Sequence, residues 1–205
     1  VKGPSSSMFG GNAMHGVINV KSTNIDGNNN LNFQVDKNES VRSKFLYKNL
    51  ENTAVGFELV SDNGFRNHSG FDQQKIILKN FNNIQDLSLQ TLISFTNLNQ
   101  ETAGYINSYF YPTRTDNINP EAYRDAKSLR IKTEISRGLK KYNIYFTPYL
   151  RFSSMEFIQH YLPGKPIEKN GQKSTGLTIK LSEIEINDNF FEIGSQVEIA
   201  FINLD

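Results

Sequence analysis

A cluster of aromatic side chains, with an arginine close by, lies between residues 105 and 123 of this sequence. Aromatic rings and a guanidinium group together offer apolar area and hydrogen-bond donors, a combination that small-molecule sites use. The four residues that we select as candidate ligand contacts are Tyr105, Tyr109, Tyr111 and Arg114, with Phe110 and Tyr123 close by. Packing within a loop, or a position at a membrane interface, explains the same residues without a ligand, and both interpretations stay open.

Residues that could form a metal site or a catalytic nucleophile are too scattered to do so. His15, His68 and His160 have no metal-ligand spacing. The chain has 0 cysteines, which excludes thiolate ligands and disulfides. The serine run 5–7 lacks the Gly-x-Ser-x-Gly context of a nucleophile, and the glycine-rich residues 3–16 lack the Gly-Lys-Ser/Thr of a phosphate-binding loop.

Carboxylates at Glu134, Glu192 and Glu198 fall on the polar sides of segments in which polar and apolar residues alternate. A pair of such groups could serve glycoside hydrolysis. The water-filled interiors of membrane barrels carry the same kind of charge, and this simpler interpretation fits the alternation better. We therefore predict no enzyme activity, no cofactor and no metal.

Composition narrows the class of protein further. The 205 residues carry 22 basic and 21 acidic side chains, which gives a net charge of +1. This balance, without basic runs among aromatics, predicts no nucleic-acid partner. Mean hydropathy is −0.50, and the longest apolar runs are far shorter than the roughly 18 residues of a membrane-spanning helix. A transmembrane β-barrel is compatible with these values because only every second residue faces lipid.

Polar and apolar residues alternate with a period of two in the segments that flank these candidate residues. In residues 87–95, for example, Leu89 and Ile93 alternate with Ser88 and Gln90. The same pattern recurs in residues 31–35, 45–47, 55–59, 76–78, 128–136, 143–153, 177–182 and 193–201. Alternation of this kind predicts β-strands with one apolar and one polar face, about nine in all.

The connections between these strands tend to alternate in length. The short connections are 50–52, 82–84, 138–141 and 186–189, and the long ones are 62–71, 98–124 and 156–173. The connection at 36–39 is the exception, because it is short where a long one is expected. Transmembrane barrels have brief turns at one end and longer loops at the other. We therefore predict an all-β fold, namely part of a transmembrane antiparallel β-barrel.

Residues 2–21 form a separate motif, Lys-Gly-Pro-Ser-Ser-Ser-Met-Phe-Gly-Gly-Asn-Ala-Met-His-Gly-Val-Ile-Asn-Val-Lys. It resembles the end of the plug domain in TonB-dependent receptors, which reads approximately (R/K)GPSS-aromatic-G-x-x-A-x-GGVINI. The matching residues are Gly3, Pro4, Ser5, Phe9, Gly10, Ala13, Gly16, Val17, Ile18 and Asn19. His15 departs from the pattern, since many relatives have glycine there.

The resemblance implies both the organisation and the function of the chain. Residues 1–24 would be the C-terminal end of a plug, and residues 25–205 the first part of a barrel in the outer membrane of a Gram-negative cell. The implied function is active uptake of a scarce nutrient, such as an iron-siderophore. The implied partners are the TonB complex of the inner membrane, a small-molecule ligand and outer-membrane lipid. On this interpretation the chain is a fragment, without its N-terminal TonB box and its last strands.

Two other functions are compatible with part of the pattern. A passive porin-like channel would have the same alternating strands, but it needs no plug-like start. A soluble all-β ligand-binding module would also alternate, but it gives no reason for loop length to follow strand parity. The sequence does not name the ligand.

Overall fold

The structure, a computed structural model, describes residues 28–37, 39–103, 116–186 and 189–205. These residues form nine strands and no helix: β1 (Asn30–Val35), β2 (Val41–Leu50), β3 (Thr53–Asp62), β4 (Phe71–Ile84), β5 (Leu87–Glu101), β6 (Tyr123–Leu139), β7 (Tyr142–Ile158), β8 (Ile167–Ile186) and β9 (Asn189–Leu204). Every strand is antiparallel to its neighbours in a single sheet with the order β1 to β9. The predictions of an all-β fold and of about nine strands are confirmed, and closure into a barrel stays a prediction, since β1 and β9 are the edges of an open sheet.

The predicted plug end at residues 1–24 lies outside the described residues. Its motif residues are Gly3, Pro4, Ser5, Phe9, Gly10, Ala13, Gly16, Val17 and Asn19. The boundary between the two predicted domains, at residues 24 and 25, lies outside them as well. Among the residues that the structure does describe, no helix is long and apolar enough to cross a membrane.

The strand register collects apolar side chains on one face of the sheet, called here the apolar face. One row of directly paired residues crosses all nine strands: Leu31, Phe45, Phe57, Ile76, Phe95, Leu129, Phe152, Lys173 and Phe201. The next row comprises Tyr47, Val55, Leu78, Ile93, Ile131, Leu150, Thr175 and Ile199. Directly paired residues on antiparallel strands have their side chains on the same face, so each row is a continuous band of contacts.

The opposite face, called here the polar face, carries the alternate residues. One of its rows comprises Lys44, Glu58, Lys75, Thr96, Ser128, Ser153, Gln172 and Ile202. The ammonium of Lys75 lies 3.5 Å from the carboxylate of Glu58 within this row. The sequence prediction of one polar and one apolar face per strand is therefore confirmed for these rows, apart from Lys173 on the apolar face and Ile202 on the polar face.

Burial shows that no second layer of the described chain covers the apolar face. The buried hydrophobic residues among those described are only Ala54, Val60, Ala122 and Tyr149. Large apolar side chains remain open on both edge strands and between them; Phe33 is 65% exposed, and Phe201 is 69% exposed. Soluble domains bury such a face against another sheet or helix, and the described residues provide neither.

The length of each connection depends on the end of the sheet at which it lies. Those at one end of the sheet, the turn end, have two residues each, at 51–52, 85–86, 140–141 and 187–188. Those at the other end, the loop end, are longer, at 36–40, 63–70, 102–122 and 159–166. The first connection, expected to be an exception, has five residues (36–40) and is therefore longer than any of the two-residue turns.

Three predicted boundaries were wrong by three or more residues. The connection placed at 98–124 spans 102–122, because residues 98–101 belong to β5. The turn placed at 82–84 lies at 85–86, because Asn82 and Asn83 continue β4 and pair with Leu89 and Ser88. The long connection placed at 156–173 is confined to 159–166, so that Asn170 belongs to β8 and pairs with Met155. All three errors shortened strands that continue beyond their apolar residues.

Candidate functional site

The four candidate ligand contacts, Tyr105, Tyr109, Tyr111 and Arg114, belong to residues 104–115, which lie outside the described part of the chain. The structure does show where their segment is attached. It leaves the sheet after β5 and returns at β6, both at the loop end. Beside this exit the backbone N–H of Thr102 donates to the carbonyl oxygen of Ala122, 2.8 Å away, and so joins the two ends of the connection.

Two further residues hold this connection against its neighbours. The amide nitrogen of Asn117 donates to the carbonyl oxygens of Asn67 and His68, each 2.9 Å away. The carboxylate of Glu121 forms an ion pair with the ammonium of Lys165. The connections 63–70, 102–122 and 159–166 are thus linked to one another at the loop end.

An open groove of about 630 Å³ lies at the loop end between β3 and β6. Its lining includes Asp62, Asp72, Glu101 and Asp125. One Glu101 carboxylate oxygen accepts a hydrogen bond from the backbone N–H of Gly70 at 3.1 Å, and the other lies 3.6 Å from His68 Nδ1. The groove therefore offers mainly hydrogen-bond acceptors and negative charge, although no group of three or more potential ligands in the described residues is arranged to hold a metal.

A second cluster at the loop end joins β6, β7 and β8. The Tyr123 hydroxyl donates to Glu156 Oε1 at 2.7 Å, and the Lys169 ammonium lies 2.9 Å from Glu156 Oε2. The hydrogen bond from Tyr123, together with that from Lys169, lowers the pKa of the Glu156 carboxyl below its usual value. The hydrogen bond to Glu156, reinforced by partial burial, raises the pKa of Tyr123 to about 12. Tyr123 is the first residue of β6, well beyond the apolar row that contains Leu129.

Tyr149, in the middle of β7, joins several side chains on the polar face. Its hydroxyl donates to Glu198 Oε2 at 2.8 Å and accepts from the amide of Gln196 at 2.7 Å. The guanidinium of Arg151 lies 4.6 Å from the centre of the tyrosine ring, and one of its nitrogens lies 3.6 Å from Glu198 Oε1. These four side chains form what we call the Tyr149 cluster.

A glycine makes the Tyr149 cluster possible. Tyr149 pairs with Gly176 on β8, and Gly176 pairs with Glu198 on β9. Because Gly176 has no side chain, the tyrosine ring lies across it and reaches the second strand away. A Cβ at position 176 would collide with the Tyr149 ring and hydroxyl, and it would lie 2.7 Å from the Val197 carbonyl oxygen.

A similar arrangement occurs four residues nearer the turn end on β7 and β8. The ammonium of Lys180 lies 4.4 Å from the centre of the Tyr145 ring and 2.7 Å from the carboxylate of Glu192. Two of the three acidic residues singled out in the sequence, Glu192 and Glu198, are thus held by cations and tyrosines on the polar face. Both therefore serve as charged hydrogen-bonding groups of a polar wall.

Sequence reasoning placed Glu198 on a polar strand face but missed its partners. Tyr149, Gln196 and Arg151 come together only through pairing across three strands, which alternation within one strand does not reveal. The signal that could have found them is Gly176, a glycine inside an otherwise regular strand, which often marks a close approach of another group.

Comparison with protein-family models and with the curated proteins finds no match for this chain.

Gly176→Ala should destabilise the protein by about 1–3 kcal/mol, because the displaced tyrosine loses both hydrogen bonds and the Glu198 side chain, 27% exposed, loses a partner. In a Tyr149→Ala background the same substitution should cost clearly less, with only the approach to Val197 remaining. The free energies of unfolding in urea of the complete protein and its variants measure both values.

Gly171→Ala provides the matched control for Gly176→Ala. An added Cβ there meets only the Asn203 side chain, at 3.9 Å, so stability should hardly change. Equal effects of the two glycine substitutions, or full additivity with Tyr149→Ala, would contradict the packing described for the tyrosine ring.

Tyr123→Phe should destabilise the protein in a pH-dependent way, with a plateau between about pH 5 and pH 10. The lowered pKa of Glu156 means that its contribution disappears as pH falls below the ordinary carboxyl range and the folded carboxyl is protonated. The pKa of Tyr123, raised to about 12, means that its contribution is complete below pH 10 and disappears as pH rises through 12.

The measurement is the difference in urea midpoint between the parent protein and Tyr123→Phe across this pH range. Tyr161→Phe is the control, since its side chain is 69% exposed. A difference for Tyr123→Phe that stays constant from pH 3 to pH 12 would show that the hydrogen bond to Glu156 does not form.

Proposed function

We propose that this chain is part of a TonB-dependent receptor, comprising the end of its plug and the first nine strands of its outer-membrane barrel. The observation that carries the proposal is the apolar face, which crosses nine strands without a covering layer among the described residues. Exposed apolar patches of this extent usually mark a membrane or a protein interface.

The dimensions of the apolar face favour lipid as its cover. On β5, the apolar-face residues from Leu87 to Phe95 span about 27 Å along the strand, at roughly 3.4 Å per residue. A strand tilt of about 40° reduces this to a height of about 20 Å, close to the apolar band of roughly 25 Å in known barrels. Beyond Phe95 the same face becomes polar, with Asn97 and Asn99 on β5.

The polar face then lines the lumen. The ion pairs and the Tyr149 cluster on this face leave polar groups that need water as a further hydrogen-bond partner. In lipid, each unsatisfied polar group would cost several kcal/mol. An open sheet in lipid would leave the backbone groups of β1 and β9 unpaired. The proposal therefore requires further strands that close the barrel.

The resemblance of residues 2–21 to a plug end distinguishes a receptor from an open channel. A receptor of this family takes up a scarce nutrient, such as an iron chelate, and draws energy from the TonB complex. The linked connections at the loop end, with Tyr105, Tyr109, Tyr111 and Arg114 in the longest of them, are the proposed place of ligand contact. A passive porin-like channel is the second candidate, because the hydrogen-bonded polar face suits any water-filled lumen.

The topology can be tested with single cysteines in the complete protein, because this part of it has 0 cysteines. Tyr161→Cys at the loop end should react with a membrane-impermeant maleimide on intact cells, whereas Lys141→Cys at the turn end should react only after the outer membrane is broken. Loops of such barrels are outside the cell and turns are in the periplasm. Equal labelling of both positions in a soluble extract would show that the protein is not in the membrane.

A second experiment distinguishes the receptor hypothesis from the passive-channel hypothesis. The complete protein in detergent should be retained by an immobilised periplasmic domain of TonB, and a variant without its N-terminal segment should not. Correct topology without retention by TonB would favour the passive channel and would contradict the receptor.

A further inference from the structure

A second open groove, of about 540 Å³, lies on the apolar face near its loop-end boundary. Its lining includes the apolar residues Phe95, Leu129, Phe152 and Phe201, together with Lys127 and Lys173. Lys173 lies in the same row as Phe152 and Phe201, directly between them. We call this feature the boundary groove. It crosses β5 to β9 where the row of Phe152 meets the more polar row of Ser154.

A glycine opens the boundary groove at its centre. Gly171 pairs with both Ser154 and Asn203, and these three residues form the row immediately beyond Phe152 and Phe201. An added Cβ at Gly171 would meet only the Asn203 side chain, at 3.9 Å. The depression is therefore bounded by aromatic rings on the apolar side and by small polar side chains on the loop side.

Lys127 and Lys173 differ from Lys169, which lies on the same face of β8 nearer the loop end. Lys169 is paired with Glu156. The side chains of Lys127 and Lys173 are exposed, and neither has an ion-pair or hydrogen-bond partner among the described residues. Two uncompensated cations beside an aromatic floor are complementary to an anion that carries apolar chains.

The spacing of these lysines suits a single anionic group. They lie two strands apart and in adjacent rows, which places their Cα atoms about 12 Å apart at roughly 4.8 Å per strand and 3.4 Å per residue. Lysine has a long, flexible stem with a compact charge at its end, so both ammonium groups can reach one headgroup between them. Farther toward the loop end, the carboxylate of Asp125 would repel the same anion. The headgroup is therefore expected to bind no closer to the loops than Lys127.

We propose that the boundary groove binds a lipid with a phosphate in its headgroup. Its acyl chains lie on Phe152 and its aromatic neighbours, and its phosphate lies between Lys127 and Lys173. This inference rests on the proposed function, because it needs the apolar face to be in a bilayer, where the boundary groove is level with the headgroups.

The test uses the complete protein in a neutral detergent, with bound lipids counted by native mass spectrometry. The probes are dioleoyl phosphatidic acid and dioleoylglycerol, which share their acyl chains and differ in the phosphate. Phosphatidic acid should bind more tightly. Lys127→Gln with Lys173→Gln should weaken binding of phosphatidic acid about 25-fold, at about fivefold for each lysine near an anionic group, and leave binding of dioleoylglycerol unchanged.

The matched control is Lys44→Gln with Lys132→Gln, which removes the same charge from the polar face and should leave binding of phosphatidic acid unchanged. Equal binding of the two lipids, or equal weakening by both double variants, would overturn the inference. Displacement of phosphatidic acid by an equal concentration of inorganic phosphate would also overturn it, because the acyl chains would then contribute nothing. A complete protein that stays soluble without detergent would overturn the proposed function itself, so the two failures are distinguishable.

Discussion

The pairing register of nine antiparallel strands is the constraint on which the rest of this structure depends. Side chains alternate between faces with a period of two, so a slip of one residue in any strand would reverse its apolar and polar sides. Leu129 and Ile131 meet Phe152 and Leu150 only in the observed register. Every other feature, including the apolar rows, the Tyr149 cluster and the boundary groove, follows from keeping that register across the sheet.

Polar groups on both faces are positioned by the same register together with two glycines. Gly176 lets the Tyr149 ring cross β8 and reach Glu198, and Gly171 opens the boundary groove on the opposite face. Because both glycines are on β8, one strand shapes features of the polar face and of the apolar face. The longer connections contribute at the loop end, where Asn117 holds the segment that leads to the candidate ligand contacts.

Much of the fold could be predicted from sequence, because a two-residue period is a local signal. It predicted the number of strands, which residues share a face of each strand, and the alternation of short and long connections. Strand ends were less predictable, since Asn82 and Asn83 have the composition of a turn while the actual turn contains Gln85, with a φ of 54° that glutamine seldom adopts. The Tyr149 cluster could not be predicted, because its contacts depend on register between strands distant in sequence.

The central claim is that the apolar face contacts lipid and the polar face contacts water. Spin labels placed one at a time from residue 127 to 137 in the complete protein, reconstituted in bilayers, test it most directly. Collision rates with oxygen, which concentrates in lipid, should peak at positions 129, 131, 133 and 135. Rates with a water-soluble nickel complex should peak at the positions between them. A profile without a two-residue period, or with the two peaks exchanged, would contradict this account.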